Sequence, residues 1–319
     1  MPTLAENIVA GDRRALARLI THIEEEDPAA LQTLSALHAH TGRAQVVGVT
    51  GAPGTGKSSL VNALTRVIRK GAPGGSARTV GIIAVDPSSP FTGGALLGDR
   101  IRMRDLAGDE GVFIRSMASR GRLGGLSRAT DSTVRAMDAA GFDVVLVETV
   151  GAGQDEIEIA RHAHTVIVVE TPGLGDDVQA IKAGILEIAD ILAVNKADLA
   201  GVDSAVHALR AMLDLGAETG DGWQTPILKT VATTGDGVDE LAAAVFRHQD
   251  HMRKTGAWKQ RELARAEHDL EERLRDRLVK DWRTRAQPDG IREAARRVAS
   301  REISPEEALG VLLDQEERE

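Results

Sequence analysis

The stretch VVGVTGAPGTGKS, residues 46–58, decides the fold of this chain. Val46–Thr50 form a short β-branched run, Gly51–Ser58 fit the pattern GxxxxGK[ST], and Leu60–Ile68 form a helical segment. A strand, a glycine-rich loop and a helix in this order are typical of the loop that cradles nucleotide phosphates. A plain glycine-rich turn is the alternative, but it would not explain why a lysine and a serine stand together at the start of a helix.

The loop also assigns roles to individual residues. Backbone N–H groups of the loop and the positive end of the helix dipole are expected to bind phosphate oxygens. Lys57 would bridge the β- and γ-phosphates, and the Ser58 hydroxyl would bind Mg²⁺. The predicted nucleotide-binding residues of this segment are Gly51, Ala52, Pro53, Gly54, Thr55, Gly56, Lys57, Ser58 and Ser59.

Further apolar, strand-sized runs follow the loop and alternate with helix-length segments. This rhythm predicts an α/β fold of the P-loop NTPase type, with a mainly parallel sheet and helices on both faces. We expect an N-terminal helical extension at 1–42, the nucleotide-binding domain at 43–250 and a C-terminal helical region at 251–319. The predicted strands are Val46–Thr50, Val80–Val85, Val112–Arg115, Val144–Glu148, Val166–Glu170, Ile191–Asn195 and Ile227–Val231.

Asn195-Lys196-Ala197-Asp198 predicts that the base is guanine. An NKxD sequence at the end of a buried strand places a carboxylate where it accepts from the guanine N1–H and exocyclic amine, a donor pair that adenine lacks. A polar turn is the alternative interpretation. Val231-Ala-Thr-Thr-Gly235 follows another strand and resembles the loop whose backbone contacts guanine, with expected contacts at Val231, Ala232 and Thr233. Together with the phosphate loop, these segments predict a GTPase.

Three acidic residues are candidates for magnesium and catalysis. Glu148 ends a strand and could hold Mg²⁺ or its water, while Gly151 could donate its N–H to the γ-phosphate. Asp86 and Asp99 could serve Mg²⁺ or the attacking water, or could only cap a turn or helix, since aspartate often does so. The predicted catalytic residues are Lys57, Asp86, Asp99 and Glu148, and the predicted metal ligands are Ser58, Asp86, Asp99 and Glu148.

Composition excludes several other classes of function. The 319 residues carry a formal net charge of −9, and the basic residues are interspersed with acids, so neither a nucleic acid nor an anionic membrane is an expected partner. The absence of cysteine excludes disulfides and thiolate metal sites and suits a reducing compartment. The apolar runs are too short for a membrane span, so we expect a soluble, cytoplasmic protein.

Long collinear blocks closely resemble the MeaB/ArgK family. These GTPase chaperones act on adenosylcobalamin-dependent acyl-CoA mutases, including methylmalonyl-CoA mutase, and the human counterpart is the methylmalonic aciduria type A protein. The likeness is densest over 45–235. The blocks that carry it are AVDPSSP (84–90), TGGALLGDRIRM (92–103), FIRSMASRGRLGGLSRAT (113–130), VETVGAGQDEIEIA (147–160) and ETPGLGDDVQAIKAGILEIADILAVNKAD (170–198).

The resemblance implies a SIMIBI-class G domain that uses ETVG at 148–151, with Mg²⁺ near Ser58, Asp86, Asp99 and Glu148. It implies a chaperone that gates adenosylcobalamin loading and protects or reactivates a B12-dependent mutase, with a cobalamin adenosyltransferase as a further candidate partner. It implies mobile switches near 92–108 and 151–160 and a homodimer built through the C-terminal arm. The expected switch or partner-sensing residues are Gln154, Asp176, Asp177, Gln179 and Lys182. The C-terminal residues 303–308 depart from the family's usual pattern.

Several alternatives stay open at this stage. Gln154 could orient the attacking water or merely begin a helix, and no arginine finger is identified among Arg100, Arg102, Arg115 and Arg120. The apolar stripe of the C-terminal helix could fold back onto the G domain or form a dimer arm. The alternative functions are a metallochaperone-type GTPase, which usually carries cysteine or clustered histidine, and a P-loop kinase. The stripe comprises Leu263, Leu270, Leu274, Leu278 and Trp282.

Overall fold

The structure, a computed structural model, describes residues 2–71, 76–86, 103–106, 108–118, 128–149, 155–173, 185–215, 222–285 and 289–314. The side chains of residues 86, 104, 118, 155–157, 284–285 and 314 are not part of that description. The chain forms two compact units, Met1–Arg261 and Glu262–Glu319.

A seven-stranded sheet lies at the centre of the first unit, in the order β3-β2-β4-β1-β5-β6-β7. All of its described strand pairs are parallel. This confirms the predicted parallel α/β fold, and each predicted run overlaps one of the seven strands. The strands are β1 Gln45–Thr50, β2 Val80–Asp86, β3 Val112–Ala118, β4 Val144–Glu148, β5 Thr165–Glu170, β6 Ile191–Asn195 and β7 Ile227–Thr230.

Helices cover both faces of this sheet, because its central strands are apolar on both sides. The described helices of the chain are α1 Leu4–Val9, α2 Arg13–Glu24, α3 Pro28–Leu37, α4 Lys57–Lys70, α5 Arg128–Ala139, α6 Asp155–His162, α7 Val202–Leu215, α8 Val238–Thr255, α9 Ala257–Arg285, α10 Gly290–Ala299 and α11 Pro305–Asp314. Helices α4 and α8 pack on one face, while α2, α5, α6 and α7 contribute to the core on the other.

The N-terminal helices share a core with the sheet. Leu16, Leu19 and Ile20 of α2 are buried in the same apolar cluster as Ile83 of β2. The helix starts follow the expected capping chemistry, since Asp12 accepts from two N–H groups of α2 and Asp27 caps α3, which has Pro28 in its first turn. The N-terminal helices are therefore packed against the sheet.

Five strand bounds differ from the sequence prediction: β1 and β5 begin one residue earlier, β2 ends one residue later, and β3 and β7 end at other residues for reasons that the pairing explains. Strand β3 was expected to end at Arg115, where polar residues interrupt the apolar run, but it continues to Ala118 because it pairs in register with β2. Arg115 contributes to this edge strand by pairing with Glu24 of α2. Val231 was expected to end β7, but it forms an isolated antiparallel bridge with Asp236 and begins a tight turn instead.

The second unit contains most of α9 together with α10 and α11. Ser304 and Glu307 form reciprocal hydrogen bonds at the start of α11, as a capping box does, and the Trp282 indole N–H donates to the carbonyl of Leu312 at 3.2 Å. None of the helices in the described part of the chain combines the length and apolar character that a membrane crossing requires.

Candidate nucleotide-binding site

The predicted site residues that the structure describes gather at one edge of the sheet. Because all described strands are parallel, their carboxyl ends meet at this edge, where open α/β sheets bind ligands. Strand β1 leads into the Gly51–Ser58 loop, β4 ends at Glu148 and β6 ends at Asn195. Asp86 is the last residue of β2, so its main chain also lies at this edge.

The loop between β1 and α4 can be built only with glycine at its two ends. Gly51 has φ of 135°, and a Cβ there would lie 2.2 Å from the carbonyl oxygen of Val169. Gly56 has φ of 90° and would place a Cβ 2.5 Å from Nδ2 of Asn195. A positive φ and the close approach of other atoms both favour glycine at these two positions, which allows the tight turn of the loop.

Lys57 and Ser58, the predicted phosphate and metal ligands, are the first two residues of α4. The Lys57 ammonium donates to the carbonyls of Gly51 at 2.7 Å and Ala52 at 3.0 Å, so its charge is held within the loop. The Ser58 hydroxyl donates to Oε1 of Glu148 at 2.6 Å, and both side chains are buried. A hydroxyl oxygen and a carboxylate oxygen thus lie next to the phosphate loop, and both are ligand types that Mg²⁺ prefers.

Asn195 joins the three loops that the sequence assigns to the nucleotide. Its Nδ2 donates to the carbonyl of Thr55 at 2.8 Å, and its Oδ1 accepts from the Ala232 N–H at 3.1 Å and the Thr230 hydroxyl at 3.3 Å. Asn195 is buried, so these bonds are shielded from water. The Asn195 side chain therefore links the phosphate loop to the loop after β7, an arrangement called the Asn195 brace below.

Lys196 and Asp198, the two charged residues of the segment Asn195–Asp198, are exposed. Lys196 has φ of 57°, a left-handed conformation, and its ammonium donates to the Gly54 carbonyl at 2.8 Å. The N–H of Ala197 donates to the Thr230 carbonyl at 3.0 Å, which turns the chain after β6. Asp198 is exposed to solvent, and Val231 and Thr233 belong to the neighbouring turn after β7. These are the two segments that the sequence predicts to contact the base.

Several predicted residues are not covered by this geometry. Asp99, Gly151, Gln154, Asp176, Asp177, Gln179 and Lys182 lie outside the described residues, as do Arg100, Arg102 and Arg120. Arg115 lies among the described residues, and its guanidinium forms an ion pair that joins β3 to Glu24 of α2. Ser59 is exposed on α4.

A family model described as methylmalonyl-CoA mutase-associated GTPase MeaB matches residues 16–287 of this chain. The chain belongs to the MeaB family. A GTPase of Pyrococcus abyssi is 44% identical over 312 residues, which cover 97% of this chain and 95% of its own. Binding and hydrolysis of GTP are thus the activity of this MeaB-family protein.

Two further relatives of this MeaB-family chain extend the comparison. The crystal structure of an LAO/AO transport system kinase superposes with a TM-score of 0.76 at 28% identity, over 98% of this chain and 96% of that one. A fused isobutyryl-CoA mutase of Cupriavidus metallidurans is 42% identical over 208 residues, which are 64% of this chain and 18% of that protein. A segment related to the MeaB-family chain is therefore part of a larger polypeptide named as a mutase.

Sequence reasoning did not single out three threonines that hold the site together. Thr50 and Thr149 form a buried hydroxyl pair, and Thr230 contacts Asn195. Each lies in a segment that the sequence identified and close to a predicted site residue: Thr50 and Thr230 in predicted strands, and Thr149 in ETVG at 148–151. That proximity is a weak signal, because the partner of each hydroxyl lies more than 30 residues away in the chain.

Proposed function

We propose that this MeaB-family GTPase is a chaperone that gates adenosylcobalamin loading and protects or reactivates a B12-dependent acyl-CoA mutase. The observation that carries the proposal is the related segment within the single chain named fused isobutyryl-CoA mutase, because fusion keeps two activities together. The family description, which names methylmalonyl-CoA mutase, supports the same class of partner. Hydrolysis of GTP would then act as a timing signal to the mutase, and the protein would work in the cytoplasm.

The proposed chemistry is in-line attack of a water oxygen on the γ-phosphorus, which breaks the bond to the β–γ bridging oxygen. GDP leaves, the water oxygen becomes part of the released phosphate, and its proton passes to phosphate or solvent. Lys57 and the loop N–H groups would stabilise the charge that develops on the phosphate oxygens. The Ser58 hydroxyl oxygen and Oε1 of Glu148 lie 2.6 Å apart. These two oxygen atoms would hold Mg²⁺ together with Asp86 and Asp99. When bound, the ion would neutralise charge on the phosphates and fix their orientation.

Lys57→Ala tests the phosphate site. We expect GTP hydrolysis to fall by at least about a hundredfold, since the amine that contacts the transferred phosphate is lost. Lys70→Ala is a matched control, because Lys70 is exposed at the other end of the same helix. Release of phosphate from GTP is the measurement, and wild-type turnover in Lys57→Ala would contradict the assignment.

The chaperone role is tested by adding purified adenosylcobalamin-dependent mutases. Methylmalonyl-CoA mutase and isobutyryl-CoA mutase are compared side by side, and we expect the cognate enzyme to raise the GTPase rate about tenfold or more by ordering the switch segments. The GTPase rate of Lys57→Ala in the presence of each mutase measures any hydrolysis by a contaminant of the mutase preparation. Equal GTPase rates with and without each mutase, and unchanged cofactor loading of the mutase, would overturn the chaperone role.

We also propose a homodimer formed through the C-terminal helix. Leu263, Leu270, Leu274 and Leu278 are each 59–65% exposed, which leaves an apolar stripe that a second copy could bury. Leu270→Glu with Leu274→Glu should shift the protein from dimer to monomer in sedimentation at micromolar concentration. Glu271→Gln with Arg275→Gln is the matched control on the exposed surface of the same helix. A wild-type protein that sediments only as a monomer would contradict the dimer.

A kinase is the second candidate function, favoured by the name of the LAO/AO transport system kinase that this chain resembles over nearly its full length. The two candidates differ in the fate of the γ-phosphate. A GTPase switch releases it as inorganic phosphate, whereas a kinase transfers it to an acceptor. GTP labelled on its γ-phosphate is incubated with the protein and a cell extract. Label on a metabolite or a protein would indicate a kinase, and label only in inorganic phosphate would indicate a GTPase switch.

A further inference from the structure

A buried pair of hydroxyl groups connects the starts of two loops at the candidate site. The Thr149 hydroxyl donates to the Thr50 hydroxyl oxygen at 2.9 Å, and the Thr149 N–H donates to the Val49 carbonyl at 3.1 Å. Thr50 and Thr149 are 0% and 1% exposed, respectively. Thr50 is the last residue of β1 and Thr149 immediately follows β4, so β1 determines the direction of the chain as it leaves β4.

This pair lies on the opposite face of the sheet from the Glu148 carboxylate. Side chains alternate along a strand, and in β4 Val145 and Val147 belong to one core cluster while Val144 and Leu146 belong to the other. Glu148 continues the second set and reaches Ser58 on α4. A rotation of the backbone at residues 148–149 would move both side chains, so an anchored Thr149 keeps the Glu148 carboxylate directed at Ser58.

Strand β1 also contacts α6, ten residues after Thr149. Ile159 of α6 is 0% exposed and packs over Gly48 of β1, where a Cβ would lie only 2.3 Å from its Cγ1. The hydroxyl pair and the Gly48 contact therefore attach Thr149 and Ile159 to the strand that carries the phosphate loop.

We propose that Thr149 is a positioning residue for GTP hydrolysis. Its hydroxyl, anchored on Thr50, orients the Glu148 carboxylate toward Ser58 and so prepares the pair of oxygen ligands for Mg²⁺. The inference rests on the role proposed above for Glu148. It differs from a purely structural role because it requires that loss of the hydroxyl alters metal-dependent steps more than it alters folding.

The test compares Thr149→Val, which keeps the shape of the side chain, with Thr149→Ser, which keeps the hydroxyl. We expect Thr149→Val to lower kcat about ten- to a hundredfold, because small misplacements of a catalytic group have effects of this size, with KM within about twofold of wild type. Thr149→Ser should restore most of kcat. Thr50→Val removes the same bond from the other side and should reproduce the loss, and the double variant should be no worse than either single variant.

A second measurement follows metal binding without turnover. The release rate of N-methylanthraniloyl-GDP is measured with and without Mg²⁺ by fluorescence. In the wild type, Mg²⁺ should slow release, and in Thr149→Val most of that effect should be lost while release without Mg²⁺ stays within about twofold. Thermal unfolding midpoints of all variants are recorded in parallel, so that a loss of folded protein is seen directly.

The outcomes separate this inference from the role of Glu148 itself. If Glu148→Gln keeps wild-type turnover, the proposed metal role of Glu148 is wrong. If Glu148→Gln is inactive while Thr149→Val and Thr50→Val keep wild-type kcat and Mg²⁺-dependent release, the positioning inference is overturned. Loss of kcat in Thr149→Ser as large as that in Thr149→Val would also contradict it, because the hydroxyl would then be irrelevant.

Discussion

The side-chain amide of Asn195 donates a 2.8 Å hydrogen bond to the carbonyl of Thr55, so the guanine motif and the phosphate loop are directly joined. Asn195 is buried and also accepts from the Ala232 N–H at 3.1 Å. One side chain thus connects three loops that are separated by more than 30 residues in the chain. Changes at Asn195 should therefore affect base and phosphate binding together.

Asn195→Asp should weaken binding of both GTP and GDP by about tenfold or more. The substitution replaces an N–H donor with a carboxylate oxygen that faces the Thr55 carbonyl, and a buried acceptor without its donor is costly by about 1–3 kcal/mol. Titration of each nucleotide by fluorescence measures the effect. Arg210→Ala, at an exposed position on α7, is the control. A change in GTP affinity with unaltered GDP affinity would contradict the idea of a shared brace.

Asp198→Asn should change the preferred base from guanine to xanthine. Xanthine carries a carbonyl at the position of the guanine exocyclic amine, and an asparagine amide can donate to it where aspartate cannot. We expect about a hundredfold loss of GTP affinity together with a gain for XTP, since a pair of matched hydrogen bonds is exchanged. Competition between the two nucleotides is the measurement. Equal loss for both bases would argue against direct contact between Asp198 and the base.

Gly48→Ala should lower the free energy of unfolding by about 1–3 kcal/mol, because the new methyl group overlaps Ile159. Ile159→Ala should cost about 2–5 kcal/mol through the cavity it creates. In the double variant the methyl group occupies part of that cavity, so the two costs should fall short of additivity by at least about 0.5 kcal/mol. Urea denaturation of the four proteins measures this coupling, and strict additivity would show that the two residues do not pack together.

The ion pair of Arg69 and Asp109 should make stability depend on acidic pH. Hydrogen bonds from the Arg69 guanidinium, and one from the Gly111 N–H, hold the pKa of the Asp109 carboxyl below its usual value. A lowered pKa in the folded state stabilises the protein at pH values above the unfolded pKa, and this stabilisation is lost as pH falls through the folded pKa.

Asp109→Asn tests this dependence. The variant should be about 1 kcal/mol less stable than wild type at pH 7, and the difference should shrink below about pH 4, near the usual aspartate pKa. Thermal unfolding at several pH values measures it. Asp105→Asn is the control, because its pair with Arg66 is more exposed and should contribute little. A difference that stays constant from pH 7 to pH 3 would contradict the linkage.

Local patterns predicted the strands, the phosphate loop and the position of the guanine motif, because each depends on residues that are contiguous in the chain. The prediction failed where pairing partners decide the outcome. Arg115 and Ser116 interrupt the apolar run of β3, yet β2 carries the strand on to Ala118. Val231 is a β-branched residue that directly follows β7, yet its bridge to Asp236 places it in a turn.

By itself, the sequence determined that this chain binds a nucleotide and which family it resembles, since GAPGTGKS and NKAD carry their chemistry in a few adjacent residues. Only the tertiary structure decided that Ser58 meets Glu148, that Thr50 meets Thr149 and that Asn195 braces the loop. The physical reason is the strand order. Strand β1 lies between β4 and β5, with β6 next in the sheet, and this arrangement brings distant strand ends within hydrogen-bonding distance.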